Sequence, residues 1–364
     1  MDKPARGSAF KQLLHTEWQH LTTFQRSNRR WPMPLAAALA SGLPLLIGTA
    51  LGHLEYGLVG SLGGLVFLYL PNTTMSHRMV VLMASGFAMS ACYTLGMLSQ
   101  LLPALTLPML VFVAILVTMI CRFYRLGPPG SLFFVMAAAI GTFTPVAPLE
   151  IPQRVGLMLM GSLLAALIAF VYSLHALRSR EPDAATTPAA SFDYVVFDSV
   201  VIGLFVALSL ALAQLFAMPK PYWVPVSCLA VIQGTSLRAV WNRQLHRILG
   251  TGAGLLVAWA LLSLPLDAWR ISLIMMALAF VIEMLVVRHY AIAVTFITPL
   301  TLLLAEATTL GQGTPSGLIR ARFFDTLLGC LIGLLGGICL HNPRFREVVG
   351  RPIRWLAPKR LHVD

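Results

Sequence analysis

Residues 79–121 read MVVLMASGFAMSACYTLGMLSQLLPALTLPMLVFVAILVTMIC, 43 positions without one Asp, Glu, Lys or Arg. As one α-helix that run would be about 65 Å long, twice the ~30 Å hydrocarbon core of a bilayer. Pro103 and Pro108 lie near its middle. A proline inside a helix removes a backbone hydrogen bond and clashes with the preceding turn. The run therefore divides into two spanning helices. Comparable charge-free runs occur at 31–54, 56–77, 126–149, 155–177, 199–219, 221–237, 248–266, 271–287, 289–305 and 326–343. The expected fold class is all-α, a polytopic membrane protein of about twelve helices.

Composition agrees. The 364 residues are 57% hydrophobic and 11% charged, with mean hydropathy +0.79. Soluble domains carry about 25% charged residues. This balance excludes a soluble enzyme, a disordered chain and a secreted disulfide scaffold. The five cysteines sit in or beside apolar runs and none forms a CxxC, so neither disulfides nor zinc is indicated. The first 32 residues are polar and basic, without the short apolar stretch of a cleavable signal peptide.

The net charge of +12 reads as topology and lipid contact, with no nucleic acid as partner, because the basic residues crowd into loops and chain ends. With the N-terminus inside, 21 of the 26 Lys and Arg fall on the cytoplasmic side. Arg154, Lys220, Arg270, Arg320 and Arg322 fall outside. The positive-inside rule then places both termini in the cytoplasm.

The two halves echo each other at an offset near 168. His77-Arg78 recurs as His246-Arg247, Arg122-Phe-Tyr124 as Arg288-His-Tyr290, Arg154…Gly161 as Arg322…Gly329, and Pro148 as Pro315. A shared offset is the mark of an internal duplication. Six spans per copy would leave both copies in the same orientation, related by a pseudo-twofold axis along the membrane normal. The expected divisions are a cytoplasmic segment 1–32, a first repeat 33–177, a linker 178–194, a second repeat 195–341 and a basic tail 342–364. The second and eighth spans are rich in Gly and Pro, respectively (Gly57 to Gly64; Trp223-Val-Pro225). Interrupted helices in matching positions point to a transport site.

Three stretches carry a family resemblance. They are Tyr222-Trp-Val-Pro-Val-Ser227, Arg243-Gln-Leu-His-Arg247-Ile-Leu-Gly-Thr251 and Arg322-Phe-Phe-Asp325-Thr-Leu-Leu-Gly329. Together they resemble the fusaric acid resistance (FUSC-like) family, which includes the bacterial aromatic acid exporters. The first repeat keeps Pro71-Asn72, Arg78 and Arg154…Gly161, but Leu157 stands where Asp325 does. Many members carry a large cytoplasmic domain; the short linker and tail here resemble a membrane-only member. The resemblance implies an inner-membrane exporter of aromatic carboxylic acids and similar anions.

Several residues are candidates for that chemistry. Arg154 and Arg322 are matched guanidiniums at the start of the last helix of each repeat. They suit an anion path, or else headgroup anchoring, or an i,i+3 pair of Arg322 with Asp325. Asp325 and Glu283 are the acids furthest into apolar helices and are candidate proton carriers. Their bland alternatives are pairing with Arg322, and with Arg288 or His289, respectively. Arg122 with Tyr124, and Arg288 with Tyr290, suit an aromatic carboxylate at the cytoplasmic mouth, or serve as ordinary topology signals with interfacial tyrosines. Arg78, Arg243 and Arg247 fit topology signals better. Trp223 lines the broken eighth span or sits at the interface. Thr298, between Thr295 and Thr301 and beside Pro299, either meets a permeant anion or satisfies carbonyls freed by the proline.

No catalytic motif, P-loop or metal-ligand set is present in the sequence. The expectation is a protein that is not an enzyme, with no cofactor and no metal, driven by an ion gradient if it is driven at all. Three readings follow. The first is a proton-driven exporter of small organic anions, aromatic or hydrophobic carboxylic acids above all. The second is a passive anion channel or uniporter, and the third a non-transporting membrane partner in envelope assembly. A buried acid away from arginine favours the first, a continuous arginine-lined pore without one favours the second, and the lack of any central pocket favours the third. Candidate partners are the small anion, membrane lipids, a periplasmic adaptor protein and a second copy in a homodimer.

Overall fold

The computed structural model describes residues 24, 29–177, 191–307 and 315–356. Most of the expected segment 1–32, most of the linker 178–194 and the end of the tail 342–364 lie outside the described residues. Among the described residues there are thirteen α-helices and no strand, so the chain is an all-α, multi-pass membrane protein. The helices are α1 (Pro32–Ala50), α2 (Leu54–Gly64), α3 (Met75–Ser99), α4 (Thr106–Phe123), α5 (Leu132–Phe143), α6 (Ile151–Ala176) and α7 (Asp198–Leu215). They continue with α8 (Trp223–Ile232), α9 (Leu237–Leu262), α10 (Ala268–Leu285), α11 (Tyr290–Glu306), α12 (Pro315–His341) and α13 (Pro343–Leu356).

The long run 79–121 breaks where its prolines require. α3 ends at Ser99, a 3-10 turn covers Pro103–Leu105, and α4 starts at Thr106. Elsewhere the helices outrun the charge-free stretches. α3 begins at Met75 and includes Arg78, α9 begins at Leu237 and includes Arg243 and Arg247, and α12 begins at Pro315 and includes Arg322 and Asp325. A search that stops at the first charge misses these turns, because Arg is a good helix former. Side-chain caps fix several starts: Ser236 Oγ accepts from the Ala239 amide at 3.1 Å and Asp267 from the Arg270 amide at 2.7 Å.

Among the described residues, eight helices are long and apolar enough to cross a membrane. Four others are apolar but shorter: Leu54–Tyr69, Leu132–Phe143, Trp223–Ile232 and Tyr290–Leu304. The second and eighth were expected to be short. The fifth is shortened too, because Gly127-Pro-Pro-Gly130 and Thr144-Pro145 take both ends of its run. The eleventh carries Pro299 inside. The short elements are the second and fifth of each half.

Outward faces are apolar. Val80, Met83 and Phe87 on α3, and Leu163, Leu167 and Val171 on α6, are exposed at helical spacing, a stripe suited to lipid. Inward faces let backbones approach through small residues. A Cβ at Gly161 of α6 would strike the Gly60 carbonyl of α2, and one at Gly329 of α12 would strike the Val224 carbonyl of α8. The same scheme pairs Gly96 of α3 with Ala138 of α5, and Gly250 of α9 with Ala291 of α11. Small residues at such crossings drive helix association where the hydrophobic effect is weak.

Helix contacts recur between the halves. α2 packs on α6 as α8 packs on α12, α3 on α5 as α9 on α11, and α3 on α6 as α9 on α12. Between the halves, α1 packs on α10 and α4 on α7, one exchange of positions. The helix α13 follows α12 directly; Phe345 and Val349 rest on the main core, and Val348 is 70% exposed.

Candidate functional site

A cavity of about 1110 Å³ lies between the halves. Its walls come from α1, α2, α4 and α5 on one side and α8 to α12 on the other. Exposed lining residues, Pro128, Thr235, Val287 and Arg288, gather at one end, the end that the charge distribution reads as cytoplasmic. Six arginines line it (Arg29, Arg122, Arg243, Arg247, Arg288 and Arg322) with Glu283 the single carboxylate among the lining residues. Such a surplus of one sign between low-dielectric walls concentrates anions.

The deep end is built around Arg322, about two turns into α12 and 3% exposed. Its guanidinium lies 3.8 Å above the Trp223 ring, a cation–π contact strengthened by desolvation. Nη2 donates to Thr301 Oγ1 at 3.1 Å. Nε and Nη1 have no hydrogen-bond partner. Arg247, from α9, donates to Tyr290 Oη and to Ser227 Oγ, each at 3.3 Å, and its Nε is also unmatched. The two like charges act on one another. A buried guanidinium without an ion-pair partner is costly, and the unmet nitrogens of the two offer charge-assisted hydrogen bonds of the kind an anion accepts.

Behind Arg322, one turn along α12, Asp325 is 0% exposed. Neither of its oxygens has a hydrogen-bond partner, and the adjacent Thr326 hydroxyl has none either. The i,i+3 ion pair with Arg322 offered as the bland alternative is not formed, because the arginine reaches instead to Trp223 and Thr301.

The mouth is held by ion pairs. Glu283 meets Arg29 at 2.7 Å, and not Arg288 or His289 as its place in the sequence suggested. Arg29 precedes α1, and only the folded arrangement brings it to α10. Arg122 meets Asp198 at 2.7 Å and lies over the Tyr194 ring at 4.5 Å. Arg346 of α13 meets the other Asp198 oxygen at 2.9 Å. Asp198 thus ties α4, α7 and the C-terminal helix together. Asp198→Ala leaves two guanidiniums facing each other. It should cost about 3 kcal/mol, read as a lower melting temperature in detergent; an unchanged melting curve would show the triad to be idle.

The cavity therefore brings together Arg122, Arg288, Tyr290, Trp223, Arg322 and Glu283. It does not include Arg154, Tyr124, Thr298 or Asp325. Arg154 reaches Glu150 at 3.7 Å in its own first turn, so the two matched arginines do not flank one chamber. Tyr124 is 66% exposed, and its place at the loop end suits an interfacial ring. Thr298 bonds back to the Val294 carbonyl at 2.9 Å; Thr301, one turn on, is the threonine that touches Arg322.

Arg247 was undervalued by the sequence because its repeat partner, Arg78, looks the same. The structure separates them. Arg78 is buried and fully used, with Nε to the Thr73 carbonyl at 2.8 Å, Nη1 to Ser173 Oγ at 3.1 Å and Nη2 to Asn72 Oδ1 at 3.0 Å. Arg78→Gln should lower the melting temperature while leaving transport per folded molecule intact; equal losses of transport by Arg78→Gln and Arg247→Gln in stable protein would contradict this division. Among the described residues no cluster of His, Cys, Asp or Glu could hold a metal ion.

Residues 202–336 match the family described as fusaric acid resistance protein-like. That segment, which runs from within α7 to within α12, is what the chain shares with the family. The resemblance carried by Trp223, Arg247 and Arg322 is thereby borne out. All the deep cavity groups (Trp223, Ser227, Arg247, Tyr290, Thr301 and Arg322) lie inside the fusaric acid resistance protein-like segment, as does Asp325, whereas Arg29, Arg122 and Arg154 lie outside it. The chain is also similar to the uncharacterized membrane protein YvaC of Bacillus subtilis, 22% identical over 89% of this chain and 75% of that protein. No solved structure matches.

Proposed function

We propose that the chain is an inner-membrane transporter that exports small organic anions, aromatic or hydrophobic carboxylic acids first, using the proton gradient. One observation carries this reading: Arg247 and Arg322 line the end of a basic cavity with donors unmet, beside the face of Trp223. A carboxylate fits the donors, and an aromatic body fits an apolar wall that includes Phe133 and Met136. The family description, fusaric acid resistance protein-like, supports an organic acid as cargo. Asp325, buried and not ion-paired to an arginine, favours an active transporter over a channel, and the cavity itself weighs against a non-transporting assembly partner.

The scaffold in this reading is two six-helix repeats, 33–177 and 195–341, related by a near-twofold rotation about the membrane normal. The exchanged helix pairs and the four short helices in matching positions support it. The 21-to-5 split of basic residues supports cytoplasmic termini; in this reading the cavity opens inward, ready to load an anion for export.

Proteoliposomes loaded with labelled benzoate test the function. Efflux should accelerate when a pH gradient is imposed and should saturate with substrate. Flux indifferent to the gradient would identify a channel or uniporter; no flux above empty liposomes would remove transport of this cargo.

A further inference from the structure

The arginines lining the cavity differ in what they are committed to. Arg29 and Arg122 each meet a carboxylate at 2.7 Å. Arg247 and Arg322 form the deep seat described above. Arg243 belongs to neither group. It is half-buried and lines the cavity, yet its side chain makes no hydrogen bond or ion pair among the described residues. Glu283, the single carboxylate among the lining residues, is held by Arg29, so the wall has no acid left for Arg243. A topology signal does not need this position. Arg238, on the same helix, is exposed and outside the cavity, where such a signal is expected.

The helix α9 starts at Leu237, close in the chain to Thr235 at the exposed end of the cavity, and runs inward. Arg243 therefore stands one turn nearer the mouth than Arg247, and both face the cavity. Like charges at i and i+4 repel, and an anion group between or beside them relieves that repulsion. Four residues of α-helix rise about 6 Å, close to the separation of two carboxyl carbons at opposite ends of a benzene ring. We infer that the cavity seats a rigid aromatic dianion, with one carboxylate on Arg247 and Arg322 and the second on Arg243. The inference rests on the anion reading given above and narrows its cargo to acids with a second negative group one helical turn away. Each guanidinium can hold a carboxylate through two parallel N–H groups. A flat ring bridges the step without the ordering cost that a flexible chain would carry.

Titration calorimetry of the full chain in nanodiscs with benzoate, phthalate and terephthalate tests the second seat. Phthalate and terephthalate carry the same charge and differ in whether the two carboxylates are adjacent or opposite. Terephthalate should bind at least about tenfold tighter than benzoate, the factor that one added charge-assisted hydrogen bond supplies. Phthalate, whose second carboxylate falls short of Arg243, should gain little over benzoate. Arg243→Gln should bring the ratio of terephthalate to benzoate affinity down toward one. Terephthalate binding no tighter than benzoate would overturn the second seat while leaving the anion site standing. Phthalate gaining as much as terephthalate in the wild-type chain would overturn it too, because charge alone would then explain the gain. A ratio that survives Arg243→Gln would remove Arg243 from the seat. Failure of the wild-type chain to bind any of the three would overturn the carboxylate site and the inference with it.

Discussion

Arg322→Gln lowers benzoate transport by about 10- to 150-fold while folded protein remains abundant. That range corresponds to about 1.5–3 kcal/mol, the worth of one charge-assisted hydrogen bond. Glutamine keeps a polar side chain and a reach toward Thr301, but loses the charge and the stacking on Trp223. Abundance should hold because Asp325 already does without Arg322 as a hydrogen-bond partner in this conformation. The double variant Arg322→Gln with Asp325→Asn separates a structural role from a binding one. If it recovers both abundance and transport, the pair is structural and the cavity is not the site. Abundance without transport leaves Arg322 as the contact to the anion. Measured uptake in proteoliposomes, normalised to reconstituted protein, decides between them.

The largest effect on folding is expected at the glycine crossings. Gly161→Leu puts a side chain where the Gly60 carbonyl already lies, and Gly329→Leu does the same against the Val224 carbonyl. Backbone cannot rotate aside as a side chain does, so α6 and α2, or α12 and α8, must separate. Overpacking alone typically costs about 1–3 kcal/mol, and loss of the crossing adds to it. Both variants should leave little monodisperse protein on size-exclusion chromatography. Gly156→Ala and Gly252→Ala, where nothing lies within 4 Å of the new Cβ, should behave as the wild type. Equal yields from all four would show that the crossings tolerate separation.

The helical, membrane-spanning character was legible because it depends on composition summed over many residues. Residues 79–121 leave no other structure open to a chain without charges. The offsets joining His77-Arg78 to His246-Arg247, and Arg154 to Arg322, were legible for the same reason, being patterns along one line. What each matched residue touches was not. Arg78 and Arg247 look alike in sequence, yet one is saturated by Thr73, Ser173 and Asn72 while the other keeps an idle nitrogen in the cavity. Their difference lies in neighbours distant in the chain. Glu283 met Arg29, 254 residues away, an encounter that no local spacing encodes. The helix starts were misjudged because charged residues mark the end of an apolar run without ending the helix. Arg322 and Asp325 thus belong inside α12, where desolvation gives them chemistry that a place at the helix mouth would not.

The central claim is that an organic anion sits between Arg247 and Arg322 with its ring against the wall that holds Trp223. An experimental structure of the full chain with iodobenzoate tests it directly, because the iodine marks the ring and the carboxylate marks the other end. The account places the carboxylate on the unmatched nitrogens of Arg247 and Arg322 and the iodine inside the cavity. Iodobenzoate found only on the lipid-facing surface, with both arginines paired to protein groups instead, would contradict it.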